Sequence, residues 1–174
     1  MSAADAESIS DSLIQTQNLG VTTIDQLASA MGKAISTASA YNVNLGNLES
    51  AYVSLTKAGI STEESTTYIS SMLNELGDTG SEVGKILKKE TGKSFGTLMK
   101  EGKSLGDVIE VLSDHVDGSA ESLMNLWGSA EAGKAANAIV SQGLDTFNDN
   151  LEKLQNSAGT TEKAYSTMAD TLEH

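Results

Sequence analysis

Apolar residues at Ile24, Leu27, Met31, Ile35, Ala38 and Tyr41 recur every three or four positions, the interval that lines one face of an α-helix. Thr23 with Gln26 three residues later fits a capping box, so the pattern predicts a helix opening at Ile24. A second stripe, Leu45, Leu48, Tyr52 and Leu55, follows Asn44 as N-cap and stops before Gly59, a residue suited to a left-handed C-terminal cap. Ser61 with Glu64 forms another box and opens a third helix, whose apolar side is Ile69, Met72, Leu73 and Leu76 ahead of Gly77. Joints this short force neighbouring helices to double back on one another.

Beyond Gly77 the stripes shorten. Val83, Ile86 and Leu87 mark about two turns before Gly92. The run SFGTLMKEGKSL reads as a short extended or irregular piece, with a turn at Lys100 to Lys103. Ser104 with Asp107 leads into Leu105, Val108, Ile109 and Leu112, and Ser119 caps a short helix carrying Leu123, Leu126 and Trp127. An echo links N-L-G-N-L-E at Asn44 with S-L-G-D-V-I at Ser104, too brief to define a repeat. From Val140 the spacing becomes heptad-like through Leu144, Phe147, Leu151, Leu154, Ala158, Thr161, Tyr165, Met168 and Leu172, with a break expected near Ser157 to Thr160. The pattern therefore predicts an all-α fold: a compact bundle of several short helices with a longer C-terminal heptad-patterned helix. Its divisions are a helical lead-in at 1–20, a compact module at 21–140 and a heptad segment at 141–171. Residues 172–174, Leu-Glu-His, resemble the start of an appended histidine tag.

Composition changes this picture in two respects. Only 4% of residues are aromatic, so the core must be made of aliphatic side chains and Ala, and modest stability is expected. A formal charge of −13, from 24 acidic residues against 11 Lys plus Arg, argues against direct nucleic-acid binding and for a solvated surface or a basic partner. The absence of Cys excludes a disulfide framework and a thiolate metal site. No apolar run approaches the ~20 residues of a membrane span, and the MSAADAESIS start lacks a signal region, which points to synthesis in a cytoplasm.

The strongest chemical motif is LWGSAEAGKAANAIV. Gly128, Gly133 and Lys134 match G-x-x-x-x-G-K, but Ala135 stands where a phosphate loop needs a magnesium-binding hydroxyl, and the residues before Gly128 read as helix. A helical corner is the better reading, with Trp127 in the core and Gly128 in a conformation that other residues resist. His115, beside Asp114 and Asp117, is the one His outside the tag-like end and reads as a helix C-terminal surface residue. The G-x-x-x-G spacings at Gly80/Gly84 and Gly102/Gly106 read as turns or close crossings, and no nucleophile elbow is present. No constellation supports catalysis, a metal or a cofactor.

Four stretches together carry a resemblance: YNVNLGNLESAYVSLTKAGISTEES from Tyr41, LNEL from Leu73, EGKSLGDVIEVL from Glu101 and LWGSAEAGKAA from Leu126. They resemble the phage tail tape measure protein family, also called phage-related minor tail proteins. The resemblance marks Gly59, Ile60 and Ser61 as one structural corner and Trp127 with Gly128 as another, where the family more often carries Phe. It implies a structural role: a chain that fills the lumen of the assembling tail, sets its length and leaves ahead of the DNA. The partners it implies are other tape measure copies, the tail tube and tail assembly proteins, with the host cytoplasm as the place of assembly. It implies no catalytic residue.

The heptad positions Leu144, Phe147, Leu151, Leu154, Tyr165 and Met168 form a candidate association seam, expected to be favoured by salt that screens the acidic chain. On sequence alone an unrelated helical interaction or adhesin-type module of a large bacterial protein competes with this reading. An enzyme domain would need a polar cleft, of which the sequence gives no sign.

Overall fold

The computed structural model describes residues 3–157, which contain ten helices and no strand. They run α1 Ala3–Leu19, α2 Ile24–Ala40, α3 Leu45–Lys57, α4 Thr62–Gly77, α5 Glu82–Thr91, α6 Phe95–Lys100, α7 Leu105–His115, α8 Ala120–Asn125, α9 Ala130–Gln142 and α10 Leu144–Gln155. From α2 to α9 every helix opens on a Ser, Thr or Asn whose side-chain oxygen accepts a backbone N–H in the first turn. Each such bond satisfies an orphan donor and is worth about 1 kcal/mol, so short helices hold defined boundaries without proline. Thr23–Gln26 and Ser104–Asp107 form reciprocal capping boxes, while Ser61 accepts from the Glu64 amide at 3.1 Å.

α4 lies between α2 and α9, and α3 supports α1, α9 and α10. α5, α6 and α7 close the end of the bundle where α4 terminates. Leu48, Leu55, Ile69, Leu73, Leu76, Leu105 and Ile139 are fully enclosed or nearly so, with Ala34, Ala51, Ala135 and Ala136 letting helix axes approach closely. α1 and α10, which the hydropathy pattern sets apart from the central module, both lie against α3.

Five local expectations need correction. Phe95–Lys100 is a helix rather than an extended piece: Ser94 caps it, and Phe95, Leu98 and Met99 reach the core at helical spacing. Ile35 is 47% exposed, because α2 buries the narrower stripe Leu27, Met31, Ala34 and Ala38, and Ile35 falls about 100° past Ala34. Gly77 belongs to α4, which ends at the extended Asp78, and Leu126 and Trp127 follow α8 rather than lying in it. The heptad pattern from Val140 is not one helix, since Gly143 adopts φ 104, ψ 128 and separates α9 from α10. Ala158, Thr161, Tyr165, Met168 and Leu172 lie outside the described residues.

Candidate functional site

The quoted sequence stretches meet in pairs, and the meeting points are built from backbone donors and short polar side chains. The first joins LNEL to LWGSAEAG. Glu75, on the last turn of α4, accepts hydrogen bonds from the Gly128 amide (2.8 Å), the Ser129 amide (2.9 Å) and the Ser129 hydroxyl (3.0 Å). Ser129 in turn caps α9 by accepting from the Ala132 amide at 3.2 Å. A carboxylate thus sits on the positive end of α9, where the unpaired N–H groups and the helix dipole favour negative charge.

This arrangement explains the near-match to a phosphate loop. The backbone donors after Trp127 already serve a carboxylate of the same chain, and the preceding element is the helix α8, not a strand. Lys134, the residue at the phosphate-binding lysine position, lies 5.7 Å from the Tyr68 ring centroid, a cation–π distance. Ala135 is completely buried, and a Cβ on Gly133 would come within 3.1 Å of the Met124 carbonyl oxygen, so this glycine serves the close α8–α9 crossing. Trp127 is buried as expected. Gly128 is not as expected: it is absent from the positive-φ positions, and a Cβ there would meet only the Glu75 carboxylate at 3.6 Å, ordinary contact. What position 128 supplies is its amide.

The second junction joins the two halves of the sequence echo. Gly46 and Gly106 both occupy the second position of their helices, α3 and α7, and both are notches for α10. A Cβ on Gly46 would lie 3.0 Å from the Leu151 side chain, and one on Gly106 would lie 2.9 Å from Phe147. Asn47 accepts from the Leu105 amide at 2.8 Å and holds the two helix starts side by side. Ser104 donates to Asn148 (2.6 Å), whose amide reaches Asp107 (3.3 Å), and Ser50 donates to the Phe147 carbonyl (2.9 Å). Phe147, Leu151 and Leu154 are buried by the chain itself and Leu144 is partly buried against the core. An association seam through these positions would have to displace that packing.

The corner Gly59, Ile60, Ser61 links α3 to α4. Gly59 has φ 92, its amide donates to the Thr56 carbonyl and the Ile60 amide to the Leu55 carbonyl, both at 3.1 Å, the paired bonds of a Schellman cap. Ile60 packs on the core and Ser61 starts α4. The same device recurs at Asn42 (φ 63), where sequence reading missed it because the residue is not glycine; its side chain donates to the Gly96 carbonyl at 3.1 Å.

Among the described residues no group of His, Asp and Glu is arranged to hold a metal, and no helix is long and apolar enough to cross a membrane. His115 Nδ1 lies 3.0 Å from Glu90 and ties α7 to α5. Glu49 on α3 is fully enclosed beneath α1, where Thr16 donates to it at 3.1 Å. Burial pushes its carboxyl up to about 7, against the hydrogen bonds from Ser12 and Thr16. The arrangement is one of helix junctions closed from within, in which Glu75, Asn47 and Ser104 bond to neighbouring elements of the same chain.

The family described as Phage-related minor tail protein matches residues 1–128. A "Probable tape measure protein" of Clostridium phage phiCD119 is 32% identical over 179 aligned residues, covering 99% of this chain. The chain corresponds to 19% of that relative's length. No solved structure matches. The match over most of the chain places this protein in the phage-related minor tail protein family.

Proposed function

We propose that this chain is a compact node of a tape measure protein, which sets tail length during assembly, occupies the tail lumen and leaves it before the DNA. The observation that carries this reading is the similarity over 99% of the chain to a tape measure relative about five times longer. The fold defines what such a node contributes. Among the described residues the longest helices have 17 residues, each spanning about 25 Å, and successive reversals fold them back on one another. Axial length at ~1.5 Å per residue would come from continuous helix elsewhere in the parent, and this module would anchor or register it against tail assembly proteins and other copies.

The test is made in the phage. Mass spectrometry should find peptides of residues 3–157 in intact virions and not in particles that have released their DNA. Duplicating the module in frame should fail to lengthen tails in electron micrographs, whereas inserting the same number of residues of continuous helix should lengthen them by ~1.5 Å per residue. Normal, infectious tails after complete deletion of the module, or its retention in emptied particles, would overturn the proposal.

A further inference from the structure

The acidic chain concentrates its cations in one short segment. Lys85, Lys88, Lys89, Lys93, Lys100 and Lys103 are six of the eleven Lys plus Arg residues, and all six are exposed. Segment 82–103 holds them against Glu82, Glu90 and Glu101, for a charge of +3, which leaves −16 on the rest of the −13 chain. Lys93 is spent on Glu101 at 2.6 Å. Lys85, Lys88 and Lys89 have no carboxylate partner among the described residues; Lys88 donates to the Gly92 carbonyl at 3.0 Å. These three lysines edge a groove of about 410 Å³ lined also by Thr79, Gly84 and Ser94, with the buried Leu76 and Phe95 beneath it.

The opposite end of α4 has the opposite sign. A groove of about 550 Å³ there is lined by Asp25, Ser29, Thr62 and Glu63 among others, with no basic residue. Glu64 is exposed on the same first turn of α4. Val21, 68% exposed and one residue from the Thr22–Thr62 hydrogen bond (2.7 Å), stands at this end as an apolar knob. Thr62 and Glu63 line one groove and Leu76 the other, so the two are about 20 Å apart along α4. Helix dipoles favour Glu63 and Glu64 in the first turn of α4 and Lys88 and Lys89 in the last turn of α5, which accounts for part of the sign at each end. They do not account for more than half of the cations lying within nineteen residues, or for the exposed Val21 beside the acidic rim.

We infer that the occupant of the Lys85–Lys88–Lys89 groove is a second copy of this chain, docked through Val21, Asp25, Glu63 and Glu64. Such a contact uses different patches on the two partners. It therefore repeats from copy to copy, closing into a ring if the rotation allows and running on as a filament if it does not. Charge complementarity fixes the pairing, since acidic end on acidic end and basic end on basic end both repel.

The experiment is sedimentation velocity on the full chain at rising concentration, with far-UV circular dichroism as the check of folding. Wild type should associate at low salt and weaken by about tenfold in dissociation constant at about 0.5 M salt, as expected when three exposed pairs are screened. The triple variant Lys85→Glu/Lys88→Glu/Lys89→Glu and the triple variant Asp25→Lys/Glu63→Lys/Glu64→Lys should each be monomeric. Their mixture should recover association at equal stoichiometry, because each presents at both ends the charge that the other lacks. Neutral Lys→Gln replacements at 85, 88 and 89 give the same loss should the reversals disturb the fold. A wild type that stays monomeric at low salt would overturn the inference. So would association that strengthens with salt, as a screened seam would show, or a mixture of reversed variants that remains monomeric.

Discussion

Replacing Glu75 by Ala removes the acceptor of three hydrogen bonds at the start of α9 without touching the core. Hydrogen bonds to a charged group contribute about 1.5–3 kcal/mol each when nothing replaces them. Glu75 is only half-buried and the Gly128 amide is exposed, so water recovers part of that. The Ser129 amide and hydroxyl, both partly buried, recover less. Loss of a negative charge at the α9 N-terminus adds a few tenths of a kcal/mol. The net expectation is destabilisation of about 2 kcal/mol, which in a domain of this size lowers the melting temperature by about 4–8 °C. Urea unfolding followed by far-UV circular dichroism measures the free energy. Glu75→Gln keeps one acceptor oxygen but turns an amide donor toward the backbone donors, so about half the loss should remain. A double-mutant cycle with Ser129→Ala should give a coupling of about 1 kcal/mol. Gly128→Ala, whose Cβ finds ordinary contact, should change little. If Glu75→Ala lies within about 0.5 kcal/mol of wild type, the carboxylate clamp is not what positions α9.

Three further outcomes follow from the same packing. Gly84→Ala would set a Cβ 2.1 Å from the Asp78 carbonyl oxygen, a backbone atom that cannot swing aside, and should cost more than about 2 kcal/mol in urea unfolding; a neutral result would mean the α4–α5 turn opens freely. Glu49 binds a proton more tightly folded than unfolded, so its contribution is fully present below the ordinary value of 4.5 and is lost as pH rises through about 7. Stability should therefore fall between those values by on the order of 2–3 kcal/mol, with a flatter profile for Glu49→Gln; parallel profiles would contradict the burial argument. Phe147→Ala empties the notch at Gly106 and should cost about 3–5 kcal/mol, whereas a residue serving only an association seam would lose self-association and keep its unfolding midpoint.

The helix starts were legible because each is written locally, in a Ser, Thr or Asn followed by an apolar stripe. Thr23, Asn44, Ser61, Ser104 and Ser119 all cap as their neighbours indicate. Errors fell where a distant partner decides. Ile35 has the right spacing to be buried, but α4 needs only the stripe through Ala34. α6 offers six residues to a periodicity that needs more, and its identity rests on Phe95, Leu98 and Met99 meeting a core that sequence does not show. Glu75 lay inside a quoted motif, yet nothing in LNEL announces that its partner is 53 residues away.

The heptad at α10 shows how one pattern serves two architectures. A spacing of four and three lets apolar knobs enter holes on any facing helix, whether on another chain or on the same one. What decides between them is whether the same chain supplies the holes. Here it does: Gly46 and Gly106 open gaps at the starts of α3 and α7, and Leu151 and Phe147 enter them. Asn47 holds the two helix starts together and Ser104 fixes Asn148, so the holes exist before any partner arrives. Two short motifs that sequence comparison alone could treat as a chance echo are then the two sides of one seat. A seat built from the second helical position of each motif favours glycine at both, and the cost of glycine there is small because it falls at a helix start rather than an interior. The recurrence of N-L-G-N and S-L-G-D follows from that shared task of receiving α10, with no internal duplication needed to explain it.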